Sequence, residues 1–280
     1  MKQIWFLTCI TLGLSSGRLH AQPPIDKLPT SDLVVTQRGK LPIILSAPHG
    51  GTQKVPDVEE RKGEGLVKGG AGFSVAFDSN TDLLLQELSA AIEAKMGQKP
   101  YFVYAKFSRK YIDANRPPEI GYENPKAKPI YEAYHQTLAA YCKEVQATYG
   151  RGLLLDIHGQ GTLRDSIIRG TRDGKTVKLL TDRFGQKAHI GPKSFFGLLA
   201  ANNIKVHPTT DDGKEMAGLN GGFIVFSYGS QGAYGIDAIQ LECGGEYRDK
   251  KTIKDTAKKL ADTVDDFAKL YLPETPLKKE

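Results

Sequence analysis

Gly152-Leu153-Leu154-Leu155-Asp156-Ile157-His158 decides the fold. Its nearly continuous apolar run, only a few residues long, is the pattern of a strand covered on both faces. It ends on a histidine that leads into Gly159-Gln160-Gly161, a glycine-rich loop. The pattern recurs at Leu41-Pro42-Ile43-Ile44-Leu45-Ser46-Ala47, which runs into Pro48-His49-Gly50-Gly51. It recurs again from Gly235 to Glu242, where Ile236, Ala238, Ile239 and Leu241 are apolar. Tyr101-Phe102-Val103-Tyr104-Ala105 reads as a further strand. Helical spacing occupies the intervals. One helix begins between Asp78 and Asp82 and runs towards Met96, a second spans Ile130 to Thr148, a third Ser194 to Ala201, and the last Ile253 to Leu270. Strands alternating with helices predict an α/β layer sandwich with a largely parallel sheet.

The 280 residues carry 25% charged and 40% hydrophobic side chains, a globular composition that excludes disorder, collagen and coiled coil. The first 21 residues read as an export signal: Lys2, then the apolar run Ile4 to Leu14, then Leu19-His20-Ala21. That run falls short of the roughly 20 apolar residues that span a bilayer. Residues 22–40 read as a polar lead-in, 41–272 as the catalytic domain and 273–280 as a polar tail. The formal charge is +6, of which Lys2 and Arg18 in the signal supply two, leaving +4. No block of basic residues points to nucleic acid, and no second apolar segment points to a membrane after signal removal. Cys142 and Cys243 remain after the signal, and their spacing marks neither a bridge nor a metal knuckle, so burial as small apolar residues is expected. No 20–50-residue repeat is visible.

His49, His158 and Glu242 each sit at or just beyond the carboxyl end of an apolar run, the edge where open α/β sheets bind ligands. A single histidine there is usually structural. Two imidazoles and a carboxylate delivered to one edge form the ligand set of many catalytic zinc sites, which leave a position open for water. Glu242 is the candidate proton shuttle. Asp78 and Asp82 are the candidates for the third metal ligand; Asp78, at the helix entry, is preferred, and helix capping accounts for either as well. Asp156 lies on the same strand face as His158, where it orients the ring or is simply buried. Arg109, Asn115 and Arg116, ahead of Pro117-Pro118, suit an anionic substrate group, since an arginine fork grips a carboxylate. The alternative there is a solvated basic loop. After the signal, G-x-S-x-G, H-E-x-x-H and C-x-x-C are missing, and Gly170 to Thr176 is one residue short of a phosphate loop, so it reads as a turn.

Ser46-Ala47-Pro48-His49-Gly50-Gly51, Asp78-x3-Asp82, Ser108-Arg109, Asp113 to Pro118, Asp156-Ile157-His158-Gly159, Gly221-Gly222 and Gln240-Leu241-Glu242 together resemble the N-formylglutamate amidohydrolase family. The resemblance spans about residues 42–248. It implies a three-layer sandwich with a mostly parallel mixed sheet, similar to the zinc carboxypeptidases and phosphorylase-hydrolase-like folds. It also implies one zinc (or another divalent ion) on His49, His158 and an acid near Asp78, with Asn115-Arg116 on the substrate carboxylate and Glu242 as base and acid. Carboxypeptidases place an acidic ligand three residues after the first histidine, where this chain has Thr52.

The expected function is an exported, zinc-dependent hydrolase of an amide beside a free carboxylate, in an N-acyl amino acid or a peptide end. The alternative is a non-catalytic exported module that binds anionic small ligands. A hydrolase centred on Cys243 is the weakest of the three.

Overall fold

The computed structural model describes residues 28–69, 72–209 and 213–278; the export signal at 1–21 lies outside them. At the centre of the sheet, strands β4 (Leu153–Gly159) and β7 (Asp237–Cys243) run parallel with His158 directly opposite Glu242 and Asp156 opposite Gln240. On its other edge β4 pairs in parallel with β2 (Ile43–Ala47), and Ser46 faces Asp156. Strands β1 (Val34–Gln37), β3 (Tyr101–Ala105), β5 (Ile167–Gly170) and β6 (Val206–His207) complete a seven-stranded sheet in the order β1-β3-β2-β4-β7-β5-β6. β1 and β3 are antiparallel, as are β5 and β7, so the mostly parallel, mixed α/β sheet is as expected.

The predicted helices appear as α1 (Thr81–Met96), α3 (Lys128–Tyr149), α6 (Phe195–Ala201) and α8 (Ile253–Tyr271). Four short ones join them: α2 (Pro118–Gly121), α4 (Lys178–Phe184), α5 (Lys187–Ile190) and α7 (Phe223–Tyr228). Because side chains alternate across a strand, the central strands feed two cores. Ile43, Leu45, Leu153, Leu155, Ile157, Ile239 and Leu241 pack with α1, α6 and α8 on one face. Ile44, Leu154 and Ala238 pack with α3 and α7 on the other. The second face also carries Ser46, Asp156, His158, Gln240 and Glu242, all buried. From β2 the chain reaches β3 through α1 on the first face, then crosses through α3 on the second face to β4. The switch in direction falls between β2 and β4, and such a switch opens a crevice at the strand carboxyl ends.

Three features differ from expectation. The lead-in supplies edge strand β1, whose burial is only partial. β5 and β6 were invisible because Ile167-Ile168 is too short to carry a period. The polar tail is tied down, with the Leu277 N–H donating to the Thr148 carbonyl at 2.7 Å. Cys142 and Cys243 are free and buried, as expected. No helix among the described residues is long and apolar enough to cross a membrane.

Asp237, at the start of β7, is 8% exposed and accepts from Leu180 N (3.1 Å) and Ser230 Oγ (2.7 Å). Burial pushes its carboxyl up to about 6 despite those donors. The folded state therefore keeps a proton there that the unfolded chain releases near 4, so this group's contribution to stability falls as pH rises from about 4 to 6. Asp237→Asn keeps the accepting oxygen and removes the titration. Relative to wild type, the variant gains up to about 3 kcal/mol between pH 4 and pH 7, measured by urea unfolding at both values. A stability difference that does not change with pH contradicts this.

Candidate metal centre and its cavity

Pro48 and His49 continue β2 past its carboxyl end, and His158 is the penultimate residue of β4. Asp78 precedes α1, in a loop whose main chain returns to β2 through Asp78 N to the His49 carbonyl (3.2 Å). Thr81 fixes the other side of this loop by donating its hydroxyl to the Asp78 carbonyl at 2.9 Å. Three elements thus bring His49, Asp78 and His158 together, each buried. His49 Nδ1 and His158 Nδ1 are 3.2 Å apart, and Asp78 Oδ2 lies 3.3 Å from the first and 3.2 Å from the second.

The far nitrogen of each ring meets its own carboxylate. His49 Nε2 lies 2.7 Å from Asp113 Oδ1 and His158 Nε2 lies 2.9 Å from Asp156 Oδ2. With each Nε2 donating to its carboxylate, both Nδ1 lone pairs turn towards the Asp78 oxygen. Three electron-rich atoms converging on one point repel unless a positive charge sits among them. A divalent cation supplies that charge, and so does a proton on His158. Ligand atoms about 2.0–2.1 Å from a tetrahedral zinc are roughly 3.4 Å apart, close to the triangle found here. Carboxylates behind ligating imidazoles fix the tautomer and strengthen the ligand. The donor set therefore fits a divalent metal.

The charges follow from this packing. Burial opposes ionisation of Asp78, but the contacts of His158 and His49 with it hold its carboxyl well below the usual range. Burial likewise opposes ionisation of Asp113, but His49 and Arg109 beside it hold its carboxyl well below the usual range. His158 is raised well above its ordinary value: burial acts against the charge, and Asp156 overcomes it. Glu242 behaves differently. Burial pushes it up to about 7, against the pull of His158, while Gln240 Nε2 donates to its Oε1 at 2.7 Å. A carboxyl poised near neutrality suits an acid–base role.

The trio and Glu242 open onto a cavity of about 790 Å³ that Arg109, Asn115, Arg116 and Arg172 also line. Not all the expected anion-binding residues are equally at liberty. Arg109 Nε donates to Asp113 Oδ2 at 2.8 Å, so this side chain chiefly supports the His49 pair. Arg116 Nε donates to the Gly72 carbonyl at 2.7 Å. Asn115 Oδ1 accepts from Ile224 N at 2.9 Å, which ties it to α7. Its amide is pressed by Gly222, where a Cβ would fall 2.2 Å from Asn115 Nδ2. Asp82, the rival third ligand, lies in the first turn of α1 and is not in the trio. Thr52 is exposed. Cys243 is fully buried and its thiol is pushed up to about 12 by burial, which removes it as a nucleophile.

The sequence alone gives Asp113 no role. Its spacing from Asn115-Arg116 carries no sign that its carboxylate reaches back to His49. Arg172 was also missed. It occupies the short turn after β5 with a left-handed backbone (φ 50°), beside Asp173 (φ 54°), and its guanidinium lies 4.8 Å over the Phe226 ring. Successive non-glycine residues with positive φ are a signal no composition pattern shows.

No family model and no curated protein matches the chain. Solved structures do. An N-formylglutamate amidohydrolase from Ralstonia eutropha JMP134 superposes with a TM-score of 0.52 at 15% identity, over 85% of this chain and 98% of that one. A gene product of Agrobacterium tumefaciens superposes with a TM-score of 0.56 at 14% identity, over 86% and 96%. The chain shares their fold.

Removing a ligand or its supporting carboxylate has different consequences. His158→Ala abolishes binding of about one metal per chain, read by elemental analysis. Asp156→Asn keeps the ligands and weakens metal affinity roughly 10–100-fold, read by competition with a chromogenic chelator. Asp82→Asn leaves metal content unchanged. Loss of metal in Asp82→Asn with retention in Asp78→Asn reverses the ligand assignment.

Proposed function

We propose that this chain is a metal-dependent hydrolase of amide bonds that lie beside a free carboxylate, as in an N-acyl amino acid or a peptide C-terminus. The observation that carries the proposal is the convergence of His49, Asp78 and His158 on one point, beside a Glu242 carboxyl near 7, inside a cavity lined by arginines. Zinc is the proposed ion, and export through the first 21 residues is the proposed route, on sequence grounds. The shared fold with an amidohydrolase agrees with the reading.

His49, Asp78 and His158 would hold the divalent ion, which would supply Lewis acidity there, easing ionisation of water near neutral pH and polarising a carbonyl. The chain's own groups supply the rest. Arg116 gives the cavity a fixed cationic wall against which the substrate carboxylate orients the scissile amide. Glu242, with its carboxylate oriented by Gln240, takes the proton of the attacking water. It then returns that proton to the departing nitrogen, so that an amine leaves rather than an amide anion. Asp113 and Asp156 hold both imidazoles in one tautomer throughout. A purely ligand-binding pocket has no need of a carboxyl tuned to about 7 beside the trio.

Glu242→Gln keeps its metal and loses kcat by about 10²- to 10⁴-fold on whichever N-acyl amino acid or peptide the wild type hydrolyses. Normal turnover in that variant removes Glu242 from the mechanism. Arg116→Ala raises KM for substrates with a free carboxylate and leaves substrates with that carboxylate amidated nearly unaffected; an equal effect on both classes refutes the carboxylate role.

A further inference from the structure

Arg248 lies outside the cavity, yet its guanidinium is bound to the chain beside Asp78, beyond His158 and beside Glu242. The residue follows β7 after a single short turn and is 8% exposed. Nε donates to the Cys243 carbonyl at 2.9 Å, next in sequence to Glu242. Nη1 donates to the Ser79 carbonyl at 2.6 Å and the Ser79 hydroxyl at 2.9 Å, next to Asp78. Nη2 donates to the Gln160 carbonyl at 3.2 Å, two residues beyond His158. Its own carbonyl accepts from Asn80 Nδ2 at 2.8 Å, and Asn80 holds a left-handed conformation (φ 61°) between Asp78 and α1.

These partners are carbonyl or hydroxyl oxygens from three separate stretches of chain, which only a planar, multiply donating group reaches at once. Gly159 completes the arrangement. A Cβ there would fall 2.6 Å from the guanidinium carbon. The Gly159 N–H meanwhile donates to Asp78 Oδ2 at 3.1 Å, joining the β4 loop to the metal-facing carboxylate itself.

We propose that Arg248 is a positioning residue of the metal centre: it clasps the Asp78, His158 and Glu242 loops together and so sets the affinity of the site for its cation. The proposal rests on the metal-centre reading above. The clasp acts through distance. Without it, Ser79, Gln160 and Cys243 lose their common partner, and the roughly 3.2 Å triangle of His49, His158 and Asp78 is held only by the Asp78 N–H on the His49 carbonyl, the Gly159 N–H on Asp78 and the β4–β7 pairing.

The test uses the full-length protein, zinc and cobalt(II). Arg248→Met and Arg248→Lys are folded as judged by near-ultraviolet circular dichroism, and they bind zinc about 10–100-fold more weakly than wild type in chelator competition. Their cobalt(II) visible spectrum is also altered, a change that reports ligand geometry and that a loss of global stability alone does not produce. Arg248→Ala regains affinity when ethylguanidinium is added. Gly159→Ala reproduces the weakening with the arginine still present, which keeps the proposal open to refutation if every Arg248 variant fails to fold. A folded Arg248→Met or Gly159→Ala with wild-type zinc affinity and an unchanged cobalt spectrum overturns the clasp. Wild-type protein that binds neither metal overturns the metal centre itself, and the clasp with it.

Discussion

Four buried carboxyl groups and two imidazoles share a small volume at the carboxyl ends of β2, β4 and β7, and they tolerate one another only if positive charge is placed among them. Asp113 and Asp156 each spend a hydrogen-bond acceptor on an imidazole. Asp78 faces the other side of both rings. Unpaired ions are too costly to bury, so this cluster fixes which cations the fold must supply: Arg109 against Asp113, and a proton or metal at the centre of the triangle. The cavity, the crowded Gly222 contact and the tuned Glu242 are arranged around that requirement.

Much of this was legible because strands ending in polar residues are unusual. The triple-leucine run before Asp156-Ile157-His158 declares a covered strand, and a histidine two positions after an aspartate shares its face by alternation alone. The same alternation pairs Gln240 with Glu242. The amphipathic spacing of Ile253, Ala257, Leu260, Val264 and Phe267 is long enough to define α8 almost to the residue. Helix α1 starts at Thr81, inside the expected Asp78–Asp82 window, and its cap Asn80 takes a left-handed turn that propensity does not foresee.

What was illegible depends on contacts distant in sequence. Asp113 lies 64 residues from His49 and Arg248 lies 169 from Ser79, and neither separation leaves any local pattern. β1 was hidden for a different reason. This edge strand and the residue before it, at most partly buried, offer only the three apolar residues Leu33-Val34-Val35, and its place is given by backbone pairing with β3. Arg109 illustrates a subtler failure. Its residue type was rightly tied to a carboxylate, but that carboxylate is Asp113 of the same chain.

The two faces of β4 and β7 also act as a proofreading device. Leu155, Ile157, Ile239 and Leu241 face the α1 and α8 core, while Asp156, His158, Gln240 and Glu242 face the site. A shift of either strand by one residue exchanges the two sets, since the side-chain period is two. The error would bury the carboxylates against aliphatic helices and turn the leucines out towards the cavity, so mispaired chains would be both unstable and adhesive. Quality control that removes sticky or unfolded chains therefore also screens for a correctly assembled His–Asp–His cluster, with no need to sense the cluster itself.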